Sequence, residues 1–372
     1  MPKTLKLLIF FIFSNLFSQQ QLVFFGSYNW DKNREGIYVY QLNNETGKLT
    51  KITSAKGIVN PSYLTISPDG KYIYTSSESK IENGGTVSAF RFDKENKTLT
   101  YLNHQKSGGE NPVYLSLHKS GKWLVNANYT DASISVYPIL NNGEIDSLAQ
   151  LLKFSEGSIN PVRQTKSHIH SAVFSPDFSS VFFSDLGADK IRIYPFDKAQ
   201  TQPLIENKSN FIKTNPGSGP RHFIFSKNGK NAYSIEEMAG EIAVYDFDGS
   251  SLKEIQKIAT HPSKIKEGFE SSDLHISPDG KFLYASNRGN ENNIAIFKIK
   301  PNGTLENVGY QKTHGKHPRT FIIDETGKFV IINNTGSNKV MVFRINPETG
   351  LLKKTGKPIK IEGVSCVETW VY

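Results

Sequence analysis

The chain has 372 residues, enough for a large buried core, and its 44 lysine and arginine residues outnumber 35 aspartate and glutamate residues, giving a formal charge of +9. The positive surplus is spread along the chain, which argues against a nucleic-acid-binding surface and suits attraction for small anionic ligands. The single cysteine, Cys366, excludes an internal disulfide, and its neighbours indicate a buried structural thiol rather than a nucleophile.

The N-terminal segment has the features of a secretory signal. Lys3 and Lys6 precede an apolar run over residues 7–13, which is too short to span a bilayer, and Ser18 is a small residue at a suitable cleavage point. We therefore predict a signal peptide over residues 1–18, a mature domain over residues 19–372, export to the periplasm, and no membrane anchor once the leader is removed. The alternative is a buried first strand in a cytoplasmic protein.

One strand pattern recurs seven times along the chain, at intervals of roughly fifty residues. Each copy alternates apolar and variable positions and carries an aromatic residue fifth, which is typical of a β-strand. The seven aromatic residues are Tyr40, Phe90, Tyr137, Tyr194, Tyr245, Phe297 and Phe343. A second pattern, clearest at residues 67–74 and 277–284, places a Pro-Asp-Gly turn between two apolar strands. Together these patterns predict four antiparallel strands per repeat, the composition of a propeller blade.

The two ends of the chain predict how the ring closes. The N-terminal part supplies three strands before the next repeat begins near Asn60, whereas the run at residues 364–370 has no repeat of its own. This run should therefore complete the first blade and remove a free sheet edge. The fold prediction is a single all-β domain, a seven-bladed β-propeller closed by its C-terminal strand. Two packed β-sandwiches are the alternative.

The repeat also locates candidate site residues, because equivalent positions in each blade can be compared. Innermost strands are predicted to begin at Pro61, Pro112, Ile169, Pro220, Ser271 and Pro318. The residues that follow form a first column: Ser62, Val113, His170, Arg221, Ser272 and Arg319. The residues after the second strands form a second column: Glu78, Tyr129, Leu186, Glu237, Arg288 and Thr335. Because the two strands are antiparallel, both columns should meet at one mouth of the channel, in a pocket off the propeller axis.

The residue types in these columns suit an anionic substrate. Guanidinium groups bind carboxylate or phosphate and can stabilise an oxyanion, while a carboxylate or histidine can move a proton. Ion pairs that merely seal the channel are the alternative. His168 and His170 could chelate a metal, but the sequence has no CxxC or HExxH motif. We therefore predict no metal and no cofactor, and we expect His168 to act at most by orienting His170.

Five segments carry a family resemblance. They are HIHSAVFSPD (168–177), DLGADKIRIY (185–194), GPRHFIFSKNGKNAYSIEE (219–237), DLHISPDGKFLYASNRG (273–289) and HPRTFIIDETGKF (317–329). The chain resembles the propeller lactonase family, which includes bacterial 6-phosphogluconolactonases of the propeller type and the fungal muconate lactonising enzyme. The similarity extends from about Phe24 to Trp370. It implies a propeller that opens or closes a lactone ring.

The resemblance points to four catalytic residues, the same four that stand out in the columns: His170, Arg221, Glu237 and Arg288. We assign substrate binding to His168, Asp185 and Arg319. The family usually has Asn-Glu-Leu where this chain has Glu236-Glu237-Met238, and we expect the extra carboxylate to repel an anion or to raise the pKa of its neighbour.

The predicted function is hydrolysis of a sugar-derived lactone that carries a carboxylate or phosphate, as in a 6-phosphogluconolactonase. Glu237, aided by His170, would activate water, while Arg221 and Arg288 would hold the anionic group and the oxyanion. Sugar phosphates of central metabolism are cytoplasmic, whereas the leader predicts an exported protein. Either the leader prediction is wrong or the natural lactone is a different one. The alternatives are a non-catalytic exported propeller that binds an anionic ligand or partner, and a muconate-type cycloisomerase. No oligomeric state follows from the sequence.

Overall fold

The computed structural model describes residues 20–79 and 81–371, and the predicted signal peptide lies outside these residues. Within them, 28 strands form seven antiparallel sheets of four strands each. The all-β, seven-bladed propeller is therefore confirmed, and the alternative of two packed sandwiches is wrong. The described residues contain no helix that is long and apolar enough to cross a membrane.

The strands follow the repeat throughout. In chain order they are β1 Gln21–Ser27, β2 Ile37–Leu42, β3 Leu49–Ala55, β4 Pro61–Ile66, β5 Tyr72–Ser77, β6 Thr86–Asp93, β7 Thr98–Lys106, β8 Pro112–Leu117, β9 Trp123–Asn128, β10 Ser133–Pro138, β11 Gln150–Lys153, β12 Ile169–Phe174, β13 Ser180–Asp185, β14 Lys190–Pro195, β15 Asn210–Lys213, β16 Pro220–Phe225, β17 Asn231–Glu236, β18 Glu241–Phe247, β19 Leu252–Ala259, β20 Ser271–Ile276, β21 Phe282–Asn287, β22 Asn293–Ile299, β23 Leu305–Lys312, β24 Pro318–Ile323, β25 Phe329–Asn334, β26 Lys339–Ile345, β27 Leu352–Lys360 and β28 Val364–Val371. Two short 3₁₀ helices, Glu206–Lys208 and Thr335–Ser337, lie in the connections.

Blades 2 to 7 each take four consecutive strands, from β4–β7 to β24–β27, whereas blade 1 combines β1–β3 with β28. In blade 1, β28 pairs antiparallel with β1, so that Leu22 faces Trp370 and Gly26 faces Cys366. The predicted closure is confirmed. Cys366 is a free, buried cysteine whose Sγ accepts a hydrogen bond from the backbone N–H of Leu64 at 3.3 Å, as a structural thiol should.

Apolar residues from neighbouring blades pack against each other and form the core between the blades. One buried cluster, for example, joins Val125 and Val136 of blade 3 to Val181 and Phe183 of blade 4. The aromatic residues of the repeat lie in these layers, with Tyr137 and Phe297 fully buried. A blade exposes two apolar faces on its own, so only the closed ring removes both from water.

The innermost strands carry the feature that positions the site. All six predicted starting residues begin strands, namely β4, β8, β12, β16, β20 and β24. In each of these strands the pairing register shifts directly after the first residue, and β28 has an equivalent shift near Ser365. Such β-bulges bend a strand and redirect a side chain. The first column of the sequence therefore consists of bulge residues at one end of the channel.

Candidate active site

The two columns meet as predicted, through a backbone hydrogen bond that recurs in every blade. Each second-column residue donates its N–H to the carbonyl of the residue that precedes the innermost strand; Glu237 donates to Gly219 at 2.8 Å and Arg288 to Glu270 at 3.0 Å. In blade 1 the N–H of Tyr28 donates to Gly363 at 2.8 Å. Tyr28 therefore belongs to the second column, although its innermost strand comes from the far end of the chain.

A cavity of about 240 Å³ lies at this mouth. Its lining residues are Tyr28, Glu78, Asn111, Val113, Tyr129, Arg163, His170, Glu237, Arg288 and Arg319. They come from all seven blades, counting the connection before β12 with blade 4. The cavity therefore lies on the propeller axis. The prediction of an off-axis site is wrong, because the sequence singled out residues in only some of the blades that line the cavity.

Glu237 is the centre of an ion-pair cluster. Its Oε2 lies 2.8 Å from Nη2 of Arg288 and 3.0 Å from Nε of Arg221, and its Oε1 lies 2.6 Å from Nη2 of Arg163. Burial alone would raise the pKa of Glu237, but the three arginines outweigh it and lower the pKa to about 2. The carboxylate is thus a firmly ionised anion with both oxygens engaged, which makes it a weak base.

Arg221 lies beneath the cavity rather than in its wall, and it is only 1% exposed. Its Nη1 donates to the carbonyl of Ser272 at 2.7 Å and lies 3.1 Å from Nε2 of His222. Burial, with Arg288 and Arg319 close by, lowers the pKa of Arg221 to about 9, so its guanidinium remains protonated at neutral pH. It supplies a fixed positive charge below the cavity.

His170 lies in the cavity wall with 5% of its surface exposed. Its ring meets those of Tyr129 and His222 edge-on, with centroids at 5.4 Å and 5.3 Å, and its Nδ1 is buried without a hydrogen-bond partner among the described residues. Burial, together with the charge of Arg221, lowers its pKa well below the usual range. The imidazole is therefore neutral, and the positive charge around it makes it a weak base unless an anion offsets that charge.

A second, looser group also lines the cavity. The hydroxyl of Tyr28 donates to Oε1 of Glu78 at 2.9 Å, and Nη2 of Arg319 lies 3.7 Å from the same oxygen. The guanidinium carbon of Arg319 lies 5.6 Å from the Tyr28 ring centroid, within the range of a cation–π contact. Arg319 is therefore within the cavity but paired less tightly than Arg288.

Two of the predicted substrate-binding residues lie outside the cavity lining. His168 stacks on Tyr129 with ring centroids 4.3 Å apart, and its Nδ1 lies 2.9 Å from the Tyr129 carbonyl. Asp185 is fully buried; it accepts from the backbone N–H of His168 at 2.9 Å and from Nε of Arg192 at 2.9 Å. Asp185 holds the backbone at His168, and His168 in turn holds the ring of Tyr129. His168 therefore positions Tyr129 rather than His170.

The extra carboxylate, Glu236, does not face the cavity. It pairs with Nζ of Lys257 at 3.4 Å, and burial raises its own pKa to about 7. The expectation that it raises the pKa of Glu237 is wrong, since the pKa of Glu237 is lowered. Successive residues at a strand end point in different directions, and this separates the two carboxylates.

Arg163 is the residue that sequence reasoning missed most clearly. It lies in the connection between β11 and β12, where no repeat position marks it, and its side chain is 43% exposed although it pairs with Glu237. Within residues 20–79 and 81–371, no group of three or more histidine, cysteine, aspartate or glutamate side chains is arranged to hold a metal ion.

Comparisons with known proteins agree with this geometry. The family described as "Lactonase, 7-bladed beta-propeller" matches residues 22–369. The chain belongs to this lactonase family. It is 39% identical to the 6-phosphogluconolactonase of Formosa agariphila, a match that covers 94% of this chain and 99% of that protein, and 30% identical to the 6-phosphogluconolactonase of Bacillus subtilis, covering 90% and 94%.

A solved structure is also similar to this propeller lactonase. The periplasmic gluconolactonase of Pseudomonas aeruginosa is 31% identical, with a TM-score of 0.87 over 95% of this chain and 99% of that one. The family and these relatives indicate a carboxylic ester hydrolase that acts on a small-molecule lactone, which confirms the predicted enzyme class. The cavity at the mouth of the channel, which contains Glu237, is therefore the candidate active site of this propeller lactonase.

Proposed function

We propose that the cavity hydrolyses a sugar-derived lactone that carries a carboxylate or phosphate. The observation that carries this proposal is the set of four guanidinium groups at or beneath the cavity, from Arg163, Arg221, Arg288 and Arg319, against the two carboxylates of Glu78 and Glu237. This excess of positive charge favours an anionic ligand, and guanidinium groups bind carboxylate and phosphate in a fixed geometry.

In the proposed reaction His170 is the general base and Glu237 orients the arginines. His170 accepts a proton from water as the water oxygen attacks the lactone carbonyl carbon, and Arg221 and Arg288 stabilise the resulting oxyanion. When the oxyanion collapses, the ring C–O bond breaks and the ring oxygen takes the proton from His170. An anionic substrate would also offset the charge of the arginines, which would raise the pKa of His170 toward the range of an effective base.

The proposed site of action is outside the cytoplasm. Residues 1–18 have the composition of a leader, and a similar protein in P. aeruginosa is described as periplasmic. An exported enzyme would meet carboxylated sugar lactones more readily than phosphorylated ones. N-terminal sequencing of the secreted protein should return Gln19; a sequence that begins at Met1 or Pro2 would contradict export.

The test is a set of three lactones that differ in charge: 6-phosphogluconolactone, a glucarolactone and the neutral gluconolactone. Hydrolysis releases an acid, so the rate of base addition at constant pH measures it. We expect kcat/KM to be higher for the charged lactones, and this preference should shrink with added salt. No turnover of any lactone, combined with binding of the open sugar acid, would instead support the non-catalytic binding function. Formation of a lactone from an open diacid would indicate a cycloisomerase.

A further inference from the structure

Directly below the bulges, the innermost strands bring a second set of side chains into the channel region. The residues that follow the bulges are Tyr63, Tyr114, Ser171, His222, Asp273, Thr320 and Cys366. Two of them form a direct contact between blades, since Nδ1 of His222 lies 2.7 Å from Oδ1 of Asp273. Both residues are about 95% buried, and neither belongs to the cavity described above.

The backbone at Asp273 departs from the pattern of the other blades. In blade 5 the residue after the bulge, His222, returns to the ladder opposite Ile235, whereas in blade 6 the pairing resumes only at Leu274, opposite Ala285. The N–H of Asp273 donates instead to Oγ of Ser286 at 3.0 Å. The Asp273 carboxylate lies toward the neighbouring blades, where it contacts His222 and the backbone of Phe321.

The Asp273 carboxylate connects three innermost strands. Besides His222 of β16, its Oδ1 accepts from the N–H of Leu274 in β20 at 3.0 Å. Its Oδ2 accepts from the N–H of Phe321 in β24 at 3.1 Å and lies 3.2 Å from Nε2 of His275. Burial alone would raise the pKa of Asp273, but its contacts with His275 and His222 hold it well below the usual range. The carboxylate is therefore an acceptor for all four groups.

These contacts determine which nitrogen of His222 carries the proton. Nη1 of Arg221 can only donate, and it lies 3.1 Å from Nε2 of His222, so Nε2 must accept. The proton then lies on Nδ1, where it is donated to Asp273. Burial and the charge of Arg221 lower the pKa of His222 to about 4, which keeps the imidazole neutral near pH 7.

We propose that Asp273 and His222 are positioning residues for Arg221. The Asp273 carboxylate fixes the tautomer of His222, and Nε2 of His222 then holds the guanidinium of Arg221 where its Nε meets Glu237. The effect of this positioning on catalysis rests on the proposed function of the cavity. The predicted tautomer of His222 holds whether or not the cavity hydrolyses a lactone. A triad of this kind works through the same principle by which a buried carboxylate orients a catalytic histidine.

The direct test reads the tautomer in the wild-type protein. In the full chain labelled with ¹⁵N-histidine at pH 7, the imidazole ¹⁵N shifts should show His222 neutral and protonated on Nδ1, with its signals assigned by their loss in His222→Gln. Protonation on Nε2, or on both nitrogens, would overturn the proposal. The tautomer is read in the wild-type protein, so this result does not depend on any lactone being a substrate.

Asp273→Ala should change both the tautomer and the reaction. Alanine offers no acceptor, so Nδ1–H of His222 loses the partner that holds its proton there. The tautomer protonated on Nε2 then becomes populated, and its N–H opposes the N–H of Arg221. We expect this switch in the ¹⁵N spectrum and a fall in kcat of about a hundredfold, with KM changed much less.

Asp279→Ala is the matched control, because Asp279 lies in the exposed turn of the same blade and only accepts from Ser277 and Lys281. It should leave the His222 signals and kcat unchanged. An unchanged His222 tautomer in a folded Asp273→Ala protein would overturn the proposal. If the tautomer switches but no lactone is hydrolysed by the wild type, the proposed function fails and the positioning contact stands.

Discussion

Oε2 of Glu237 lies 2.8 Å from Nη2 of Arg288 in the cavity, and Arg163 and Arg221 also pair with this carboxylate. Glu237 is thus the counter-ion of guanidinium groups that can also bind a substrate anion. Removing one member of a buried ion pair leaves the remaining charge unpaired, which costs more than the pair itself contributes. This relationship makes Glu237 important both for stability and for the orientation of Arg221 and Arg288.

Glu237→Gln should therefore weaken both folding and catalysis. We expect the free energy of unfolding to fall by about 3 kcal/mol, because the buried arginines lose their counter-charge, and kcat/KM to fall by about a hundredfold, because they lose their orientation. Denaturant unfolding and lactone hydrolysis measure the two effects. Glu362→Gln, which removes an exposed partner of Arg34, is the control and should change little. Equal stability of the two variants would contradict the account.

The cost of Glu237→Gln should depend on pH. The pKa of Glu237 is lowered from 4.5 to about 2 in the folded protein, so its stabilising effect is fully present above about pH 4.5 and is lost as the pH falls through 2. The difference in unfolding free energy between wild type and variant should narrow over that interval. Unfolding curves at a series of pH values test this, and a difference that stays constant down to pH 2 would show that the charge is not responsible.

Arg163→Ala should affect substrate binding more than chemistry. The side chain is partly exposed and pairs with Oε1 of Glu237 from a connecting loop, so it can reach an anionic group that enters the cavity. We expect KM for a charged lactone to rise about tenfold, the value of one lost charge-assisted hydrogen bond, with a smaller change for neutral gluconolactone. Lys166→Ala removes an exposed charge from the same loop and should raise KM much less. An equal rise in KM for the two variants would indicate that the overall positive charge, rather than Arg163 itself, attracts the substrate.

Cys366 should be inert in the folded protein. It is 1% exposed, and burial raises the pKa of its thiol well above the usual range, so the reactive thiolate is scarce. A thiol reagent such as iodoacetamide should label the native chain slowly and the urea-unfolded chain rapidly, as mass spectrometry can follow. Fast labelling under native conditions would mean that β28 leaves blade 1 readily.

The sequence predicts the propeller well because the repeat places aromatic and apolar residues at equivalent positions in all seven blades. Aromatic residues such as Tyr137 and Phe297 must fill equivalent layers between blades, and the starts of β16 and β20 can be counted from the turns. Counting from the turns also places Glu237 and Arg288 at the same mouth of the channel, because antiparallel pairing determines which strand ends lie together.

Other parts of the site do not follow from the repeat. Arg163 lies in a connection that no repeat position marks, and the contact between Asp273 and His222 joins two blades at positions outside both columns. Tyr28 could have been found by extending the second column into blade 1, once β28 was counted as its innermost strand. The base strength of Glu237 depends on three arginines from separate parts of the chain, which no local pattern specifies.

The most direct test of the central claim compares proton release from the best lactone of the set by wild type and by His170→Asn. The variant retains a group near the position of the buried Nδ1 but lacks Nε2, so no ring nitrogen is left to accept the water proton. We predict catalysed release by the wild type, and a fall of about 10²- to 10⁴-fold in kcat for the variant, with the fold retained by circular dichroism. Wild-type release at the uncatalysed rate, or an unchanged rate in folded His170→Asn, would contradict the proposed active site.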